Sequence, residues 1–270
     1  MKPTLLVLVV LVLLTLFSSC KFSRKLLYYP DTISPARQQF LQENYPLLTR
    51  LTIPVGQDIR LRGWLIEKDL AALPTIFYFG GNGEEVSLNI EMMERELAAN
   101  VVLVNYRGYG QSDGVPREKA LKADALTIYD YILTNYPVRP DSVIAAGRSL
   151  GTGVAAWLAW KKEIPRLILV SPFDGIDRVA ANHFPGWLVW LTLGDKYRTI
   201  DFADQITSKT LVIASENDEV VPVKHSRRLY ESLTCDKQMV NVNTAGHNDF
   251  EMFAAYWQAW RKMTAEKSLQ

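Results

Sequence analysis

Hydrophobic and polar positions repeat with two different periods along the chain. Residues 47–54 and 59–67 have the period-two pattern of β-strands, with the turn residues Gly56, Gln57 and Asp58 between them. We therefore expect an antiparallel pair of strands at the start of the domain. Six later apolar runs predict further strands, at 74–79, 101–105, 142–146, 166–170, 210–214 and 238–242.

Longer segments with helical periodicity separate these later runs. The predicted helices cover 84–99, 116–135, 150–162, 223–233 and 248–267. Strands that alternate with helices indicate parallel strands joined by crossover helices. The sequence therefore predicts an α/β fold, with a mostly parallel central sheet of about eight strands and helices on both faces.

Residues 171–206 interrupt this regular alternation. The segment contains Pro172 and Pro185 and the aromatic pair Trp187 and Trp190, and it is longer than a usual strand-to-helix connection. It forms either a small cap over a pocket or a helix on the sheet with a long connection. We favour the small cap, because the segment follows a strand at the carboxyl edge of the sheet, where ligands bind in such folds.

The first twenty residues form a separate signal. Lys2 precedes an apolar block at 5–17, which is followed by Ser18, Ser19 and Cys20. The block is shorter than the roughly 20 residues of a membrane-spanning helix and is typical of an export signal. Small residues before a cysteine resemble the lipobox of bacterial lipoproteins. We therefore expect a signal peptide, with Cys20 lipidated in the bacterial cell envelope.

The alternative is an uncleaved N-terminal anchor. Lys21, Arg24 and Lys25 follow the apolar block, and basic residues at this position hold the following domain on the cytoplasmic side. Both interpretations predict that the chain associates with a membrane through its N-terminus.

Composition and charge limit the function classes. The chain has 270 residues, of which 48% are hydrophobic and 22% charged, which suits one globular domain with a short appendage. We divide it into a signal or anchor at 1–20, a linker at 21–44 and a folded domain at 45–270. The net charge of +1 does not favour nucleic-acid binding. Cys20 and Cys235 have neither metal-ligand spacing nor a C-x-x-C partner.

The strongest chemical motif is Gly-Arg-Ser-Leu-Gly at 147–151. It matches G-x-S-x-G and lies where the strand 142–146 meets the helix 150–162. A serine on such a sharp turn has an exposed hydroxyl, and the flanking glycines permit the turn and a closely packed helix. Ser149 is therefore the candidate nucleophile.

A serine nucleophile needs a base, and histidine usually supplies it. The chain has three histidines. His225 lies in a helical segment, where it packs or faces solvent, and His183 lies in the irregular segment with no strand end to hold it. His247 follows Gly246 just after the strand 238–242, at the edge where active sites form. We therefore select His247 as the base.

The base in turn needs an acid to orient it. Asp218 follows the strand 210–214, and Glu216 and Glu219 lie beside it. We favour Asp218, because its short carboxylate can be held rigidly against an imidazole nitrogen in a turn. The two glutamates are expected to be solvated neighbours, although glutamate can fill this role.

Acyl transfer also needs donors for the oxyanion. One N–H normally comes from the residue after the nucleophile, here Leu150, and another from the loop after an earlier strand. The glycine-rich loop after 74–79 offers Asn82 or Gly83. It lacks both nucleotide-binding patterns, G-x-x-x-x-G-K-[ST] and G-x-G-x-x-G. This chemistry needs no metal or organic cofactor.

Five segments together resemble the α/β-hydrolase superfamily, and more narrowly its small-cap abhydrolase subgroup of serine hydrolases. The segments are GGNG at 80–83, NYRGYG at 105–110, GRSLG at 147–151, DEVVP at 218–222 and AGHN at 245–248. The resemblance implies the α/β-hydrolase fold with a small cap at about 171–206. Some members of the subgroup act on acyl thioesters of lipidated proteins. Relatives often have His-Gly where this chain has Gly80-Gly81.

Motifs and resemblance lead to one functional hypothesis. We expect a membrane-associated serine hydrolase that cleaves an ester or thioester of a small-molecule or acylated substrate through an acyl-enzyme on Ser149. An amidase, a peptidase or an acyltransferase would use the same three side chains. A non-catalytic binding protein on a hydrolase scaffold is the remaining alternative.

Overall fold

A computed structural model describes residues 27–265. The predicted signal or anchor at 1–20, the lipidation site Cys20 and the basic residues 21–25 lie outside the described residues. Within 27–265, no helix has both the length and the apolar character needed to cross a bilayer.

Eight strands of the described chain form one sheet in the order β1-β2-β4-β3-β5-β6-β7-β8. β1 pairs antiparallel with β2, and β2 with β4, whereas all other pairs are parallel. Every predicted strand is present, with ends within two residues of the prediction. The strands are β1 Leu48–Pro54, β2 Arg60–Ile66, β3 Thr75–Phe79, β4 Asn100–Val104, β5 Val143–Arg148, β6 Arg166–Val170, β7 Lys209–Ala214 and β8 Lys237–Asn241.

Helices cover both faces of this sheet. Two predicted helices, at 84–99 and 248–267, are each divided into a short 3-10 turn followed by an α-helix. The α-helices are α1 Pro35–Asn44, α2 Ile90–Glu96, α3 Glu118–Asn135, α4 Leu150–Lys162, α5 Ile176–Ala180, α6 Gly186–Thr192, α7 Val223–Ser232 and α8 Ala254–Ala265. The predicted α/β architecture is confirmed.

The central strands are mostly apolar because a core covers each face of the sheet. In β3, Phe77 and Phe79 belong to one core, whereas Ile76 and Tyr78 belong to the other. Side chains of a strand alternate between faces, so a strand buried on both sides is mostly apolar, and polar residues such as Thr75 and Asn100 lie at the strand starts. This explains the short continuous apolar runs in the sequence.

Residues 27–44, within the range expected to be a linker, pack on the domain. Ser34 caps α1 by accepting a hydrogen bond from the N–H of Arg37 at 3.1 Å, and Pro35 is the first residue of the helix. Both residue types favour these positions. Tyr28 and Leu41 are buried, one in each core. Residues 27–44 are thus fixed to the body of the molecule.

The insert at 171–206 consists of the short helices α5 and α6 and of 3-10 turns at Thr199–Asp201 and Ala203–Gln205. Asp174, with no exposed surface, attaches it to α7. This carboxylate accepts hydrogen bonds from His225 Nδ1 and Arg228 Nη1, both at 2.8 Å, and from Arg178 Nη1 at 3.2 Å. His225 is therefore a buried partner of Asp174, well away from solvent.

We expect the Asp174 contacts to stabilise the fold in a pH-dependent way. Burial by itself raises the pKa of Asp174, but the hydrogen bonds from His225 and Arg228 outweigh it and lower the pKa to about 2. A carboxylate whose pKa is lower in the folded state stabilises the fold above its unfolded pKa. That contribution is lost as the pH falls from about 4 to about 2.

Asp174→Asn should lower the free energy of unfolding at pH 7 by about 2 kcal/mol. Urea unfolding curves at a series of pH values measure this difference in the free energy of unfolding. It should shrink as the pH falls below about 4. The matched control is Asp130→Asn, which breaks the exposed ion pair with Lys162 and should change stability by less than about 0.5 kcal/mol. A loss at Asp174 that does not vary with pH would contradict this assignment.

Two glycines bring α4 into direct contact with the sheet. A Cβ atom on Gly151 would lie 2.0 Å from the carbonyl oxygen of Phe79, and one on Gly147 would lie 2.3 Å from the carbonyl oxygen of Gly151. No side chain fits at either position. The first turn of α4 therefore packs on the backbone of β3.

Gly151→Ala should destabilise the protein by about 3 kcal/mol, because the methyl group must displace backbone. Gly186→Ala is the control, because nothing lies within 4 Å of the Cβ position there, and it should change stability by less than about 1 kcal/mol. Thermal unfolding of both variants measures the difference. Equal melting temperatures would show that α4 does not need this close approach.

Candidate active site

Ser149, Asp218 and His247 meet at the carboxyl edge of the sheet. They follow β5, β7 and β8, whose carboxyl ends lie along one edge because these strands are parallel. His247 Nε2 lies 3.0 Å from Ser149 Oγ, and His247 Nδ1 lies 3.0 and 2.9 Å from the two carboxylate oxygens of Asp218. All three side chains are buried. The fold thus brings together the three residues selected from the sequence.

Ser149 occupies the sharp turn between β5 and α4. Its backbone has φ 50° and ψ −120°, a conformation that costs an L-residue about 1–3 kcal/mol. The elements on either side hold it there: its N–H donates to the carbonyl of Val170 at 2.9 Å, and α4 begins at the next residue. The turn directs the hydroxyl away from the sheet and towards His247.

Asp218 is held as a carboxylate. The main-chain N–H groups of Val220 and Val221 donate to its Oδ1 at 3.0 and 2.7 Å. Burial raises the pKa of Asp218, but hydrogen bonds from His247 and Ser171 outweigh burial, and the pKa falls below its usual value. The acid is therefore ionised at neutral pH and faces the Nδ1 side of the imidazole.

Ser171 is a fourth side chain at this site, which the sequence motifs did not indicate. Its hydroxyl donates to Asp218 Oδ2 and lies 3.3 Å from His247 Nδ1. The residue is buried at the end of β6, between the strands that carry Ser149 and Asp218, and its φ is +49°. In the sequence, the sign that Ser171 could belong to the site is its position directly after the predicted strand 166–170.

Arg148, inside the G-x-S-x-G motif, connects three loops of the site. Its Nη2 donates to the carbonyl of His247 at 2.9 Å and to Asn248 Oδ1 at 3.1 Å. Its Nη1 lies 3.4 Å from Glu84 Oε2, and that oxygen accepts the N–H of Gly81 at 2.9 Å. The histidine loop and the glycine-rich loop are thus fixed to the nucleophile turn.

Glu219 and Glu216 have different environments. Glu219 Oε2 accepts the main-chain N–H of His247 at 3.3 Å. Glu219 is thus a neighbour of Asp218 that also helps to hold the histidine loop. Glu216 forms an exposed ion pair with Arg227. His183 is exposed in the insert.

The glycine-rich loop after β3 lies against the nucleophile. A Cβ atom on Gly81 would lie 3.8 Å from Ser149 Cβ. The carbonyl of Asn82 accepts hydrogen bonds from Tyr109 Oη at 2.5 Å and from the N–H of Tyr29 at 2.9 Å. The exposed Gly83 faces Tyr29, and Leu150 begins α4 beside Ser149. Leu150 and the glycine-rich loop therefore adjoin Ser149, and the assignment of Leu150, Asn82 or Gly83 as oxyanion donors stays a prediction.

Comparisons with known proteins identify the family to which the chain belongs. Residues 111–266 match the model of the serine hydrolase family. The chain is 31% identical over 233 residues to an uncharacterized protein of Mycobacterium tuberculosis, covering 85% of this chain and 82% of that protein. It is 32% identical over 197 residues to human alpha/beta hydrolase domain-containing protein 17B, covering 72% of this chain and 67% of that protein.

Solved structures share the fold at low sequence identity. The Pyrococcus furiosus esterase Pf2001 superposes with a TM-score of 0.70 at 19% identity, covering 88% of this chain and 98% of that chain. Est1E from Butyrivibrio proteoclasticus, solved with ferulic acid bound, has a TM-score of 0.62 at 18% identity, covering 80% of this chain and 100% of that chain. The chain has the α/β-hydrolase fold and belongs to the serine hydrolase family.

Proposed function

We propose that this protein hydrolyses carboxylic ester or thioester bonds through an acyl-enzyme intermediate on Ser149. The observation that carries the proposal is the hydrogen-bonded series Ser149–His247–Asp218, with 3.0 Å between Ser149 Oγ and His247 Nε2. A serine hydroxyl is a poor nucleophile at neutral pH, and a neighbouring imidazole removes its proton as it attacks.

In the acylation half, His247 Nε2 takes the hydroxyl proton while Ser149 Oγ bonds to the acyl carbon. The tetrahedral intermediate then breaks its bond to the leaving alcohol or thiol, which receives the proton from His247. Asp218 accepts the Nδ1–H bond throughout. It fixes the tautomer that leaves Nε2 free as a base and stabilises the imidazolium that forms.

In the deacylation half, water takes the place of the departed alcohol or thiol. His247 removes a proton from the water as its oxygen attacks the acyl carbon, and returns a proton to Ser149 Oγ as the carboxylic acid leaves. The negative charge on the carbonyl oxygen develops in both halves. We assign its donors to the main-chain N–H groups of Leu150 and Asn82, with Gly83 as the alternative in the same loop.

One structural neighbour supports an ester substrate, because Pf2001 is an esterase. Est1E was solved with ferulic acid bound. Alcohols and thiols also leave a tetrahedral intermediate more easily than amines, because alkoxides and thiolates are far weaker bases than amide anions. The preference for one acyl group over another depends on the side chains that surround the bound acyl group, and not on Ser149, His247 and Asp218.

A fluorophosphonate probe should label the purified wild-type protein and not Ser149→Ala. Hydrolysis of activated esters should fall by roughly 10³-fold or more in this variant, because the nucleophile is lost. Ser232→Ala, at the end of α7, is a matched control that should label like wild type. Equal labelling of Ser149→Ala would exclude Ser149 as the nucleophile.

The same assay on esters, thioesters and amides of graded acyl length tests the reaction class. Turnover of amides at rates comparable to esters would favour an amidase or peptidase. Probe labelling without turnover of any activated acyl compound in water, but with transfer to an added alcohol, would identify an acyltransferase.

Ser171→Ala should lower kcat/KM roughly tenfold, the usual effect of one hydrogen bond to a charged group. Without this donor the pKa of Asp218 rises, so the acidic limb of the pH–rate profile should move to higher pH. Ser171→Gly removes the same hydroxyl without backbone strain, because glycine readily adopts a φ of +49°. The two variants together separate the effect of the hydroxyl from that of the backbone conformation. A wild-type pH profile in the glycine variant would show that the hydroxyl has no role.

A further inference from the structure

Large apolar side chains are exposed around the carboxyl edge of the sheet. In the insert, Phe184, Trp187 and Leu191 are 56%, 69% and 49% exposed. Val220, in the loop after β7, is 45% exposed, and Met252, after β8, is 78% exposed. All five follow the strands whose carboxyl ends carry the candidate site. Exposed apolar side chains that group together on a domain mark an interaction surface, and three of these five belong to one short stretch of the insert, 184–191.

The helix α6 has apolar residues on its outer face as well as its inner face. Trp187 and Leu191 are four residues apart and so lie on the same face, where both are exposed. Val189 is buried on the opposite side. Packing against the domain therefore explains Val189 but leaves Trp187 and Leu191 largely exposed.

The N-terminal segment enters the domain beside this face. Tyr28 Oη donates to Asp195 Oδ2 at 2.8 Å and lies 2.9 Å from Tyr197 Oη, and both partners come directly after α6. The next residue, Tyr29, donates its N–H to Asn82 in the glycine-rich loop at 2.9 Å. Residues 28 and 29 therefore connect the insert to the glycine-rich loop of the candidate site.

The length and composition of that segment point to a membrane. The apolar block at 5–17 and Cys20 precede the first described residue, Leu27. Six residues separate Cys20 from Leu27, and even a fully extended chain over these seven steps spans only about 25 Å. A bilayer that holds the block, or a lipid on Cys20, is thus kept close to the carboxyl edge.

Charge on the insert suits an anionic lipid surface. Residues 178–194 contain Arg178 and no carboxylate, so nothing in the outer part of the insert repels lipid phosphates. Lys21, Arg24 and Lys25 lie in the connecting segment, and each basic residue near an anionic leaflet favours binding. Tryptophan is also the side chain most suited to the headgroup region.

We propose that Phe184, Trp187 and Leu191 form a docking surface for a lipid bilayer, which the N-terminal segment holds next to the membrane. Docking turns the carboxyl edge towards the bilayer, so acyl chains reach Ser149 from the membrane. This proposal rests on the proposed hydrolase function only where it assigns a reaction at Ser149 to the acyl chains. The docking itself requires no turnover.

The test places a reporter at the surface of the full-length protein. Trp187→Cys, in a Cys235→Ser background, is labelled with the environment-sensitive fluorophore NBD and reconstituted with vesicles of phosphatidylethanolamine and phosphatidylglycerol. Phe40→Cys in the same background is the matched control, because Phe40 is also an exposed aromatic side chain but lies on α1. Any label on Cys20 is common to both proteins and cancels.

Docking predicts that NBD at position 187 emits at shorter wavelength on adding vesicles and is quenched by spin-labelled lipid tails. The control at position 40 should show neither change, and Phe184→Ser with Leu191→Ser should abolish both changes at position 187. Equal spectra at the two positions would overturn the proposal. A shift at position 187 without lipid that grows with protein concentration would also overturn it, because a second copy of the chain would then cover the face.

The Ser149→Ala protein should dock like wild type in this assay. A protein that docks but hydrolyses no acyl compound would overturn the proposed function alone. A protein that hydrolyses esters but gives no lipid quenching at position 187 would overturn the docking surface alone.

Discussion

The contact between the first turn of α4 and the backbone of β3 is the constraint on which the site depends. Gly151 lets α4 approach the carbonyl of Phe79, and the turn between β5 and α4 then leaves Ser149 no relaxed conformation. The strain at Ser149 persists because both flanking elements are buried and cannot move apart. The position of the hydroxyl is thus set by packing across the whole centre of the sheet.

Around this fixed point, charge and hydrogen bonds hold the other loops. Asp218 has four donors around its carboxylate: two main-chain N–H groups, the imidazole and the hydroxyl of Ser171. Arg148 joins the histidine loop to the glycine-rich loop through Glu84. Each loop that the chemistry requires is therefore attached to a neighbour by a charged group, and the site is organised before any substrate arrives.

The insert links this rigid centre to the surface of the molecule. Asp174, buried between His225 and Arg228, attaches the insert to α7, while Tyr28 attaches the N-terminal segment to the residues that follow α6. Exposed apolar side chains lie on the outer side of the same insert. One small element thus connects the entry of the chain, the carboxyl edge of the sheet and the proposed membrane contact.

The sequence by itself determined the eight strands and the five helical segments between and after them, and selected Ser149, Asp218 and His247. Strand periodicity, glycine positions and strand ends are local properties that a single chain displays directly. Only the tertiary structure decided that Ser171 joins Asp218, that Glu219 supports the histidine loop and that His225 is a buried partner of Asp174. It also decided that 27–44 packs on the domain. These contacts join residues far apart in the chain, and their geometry exists only after the sheet has assembled.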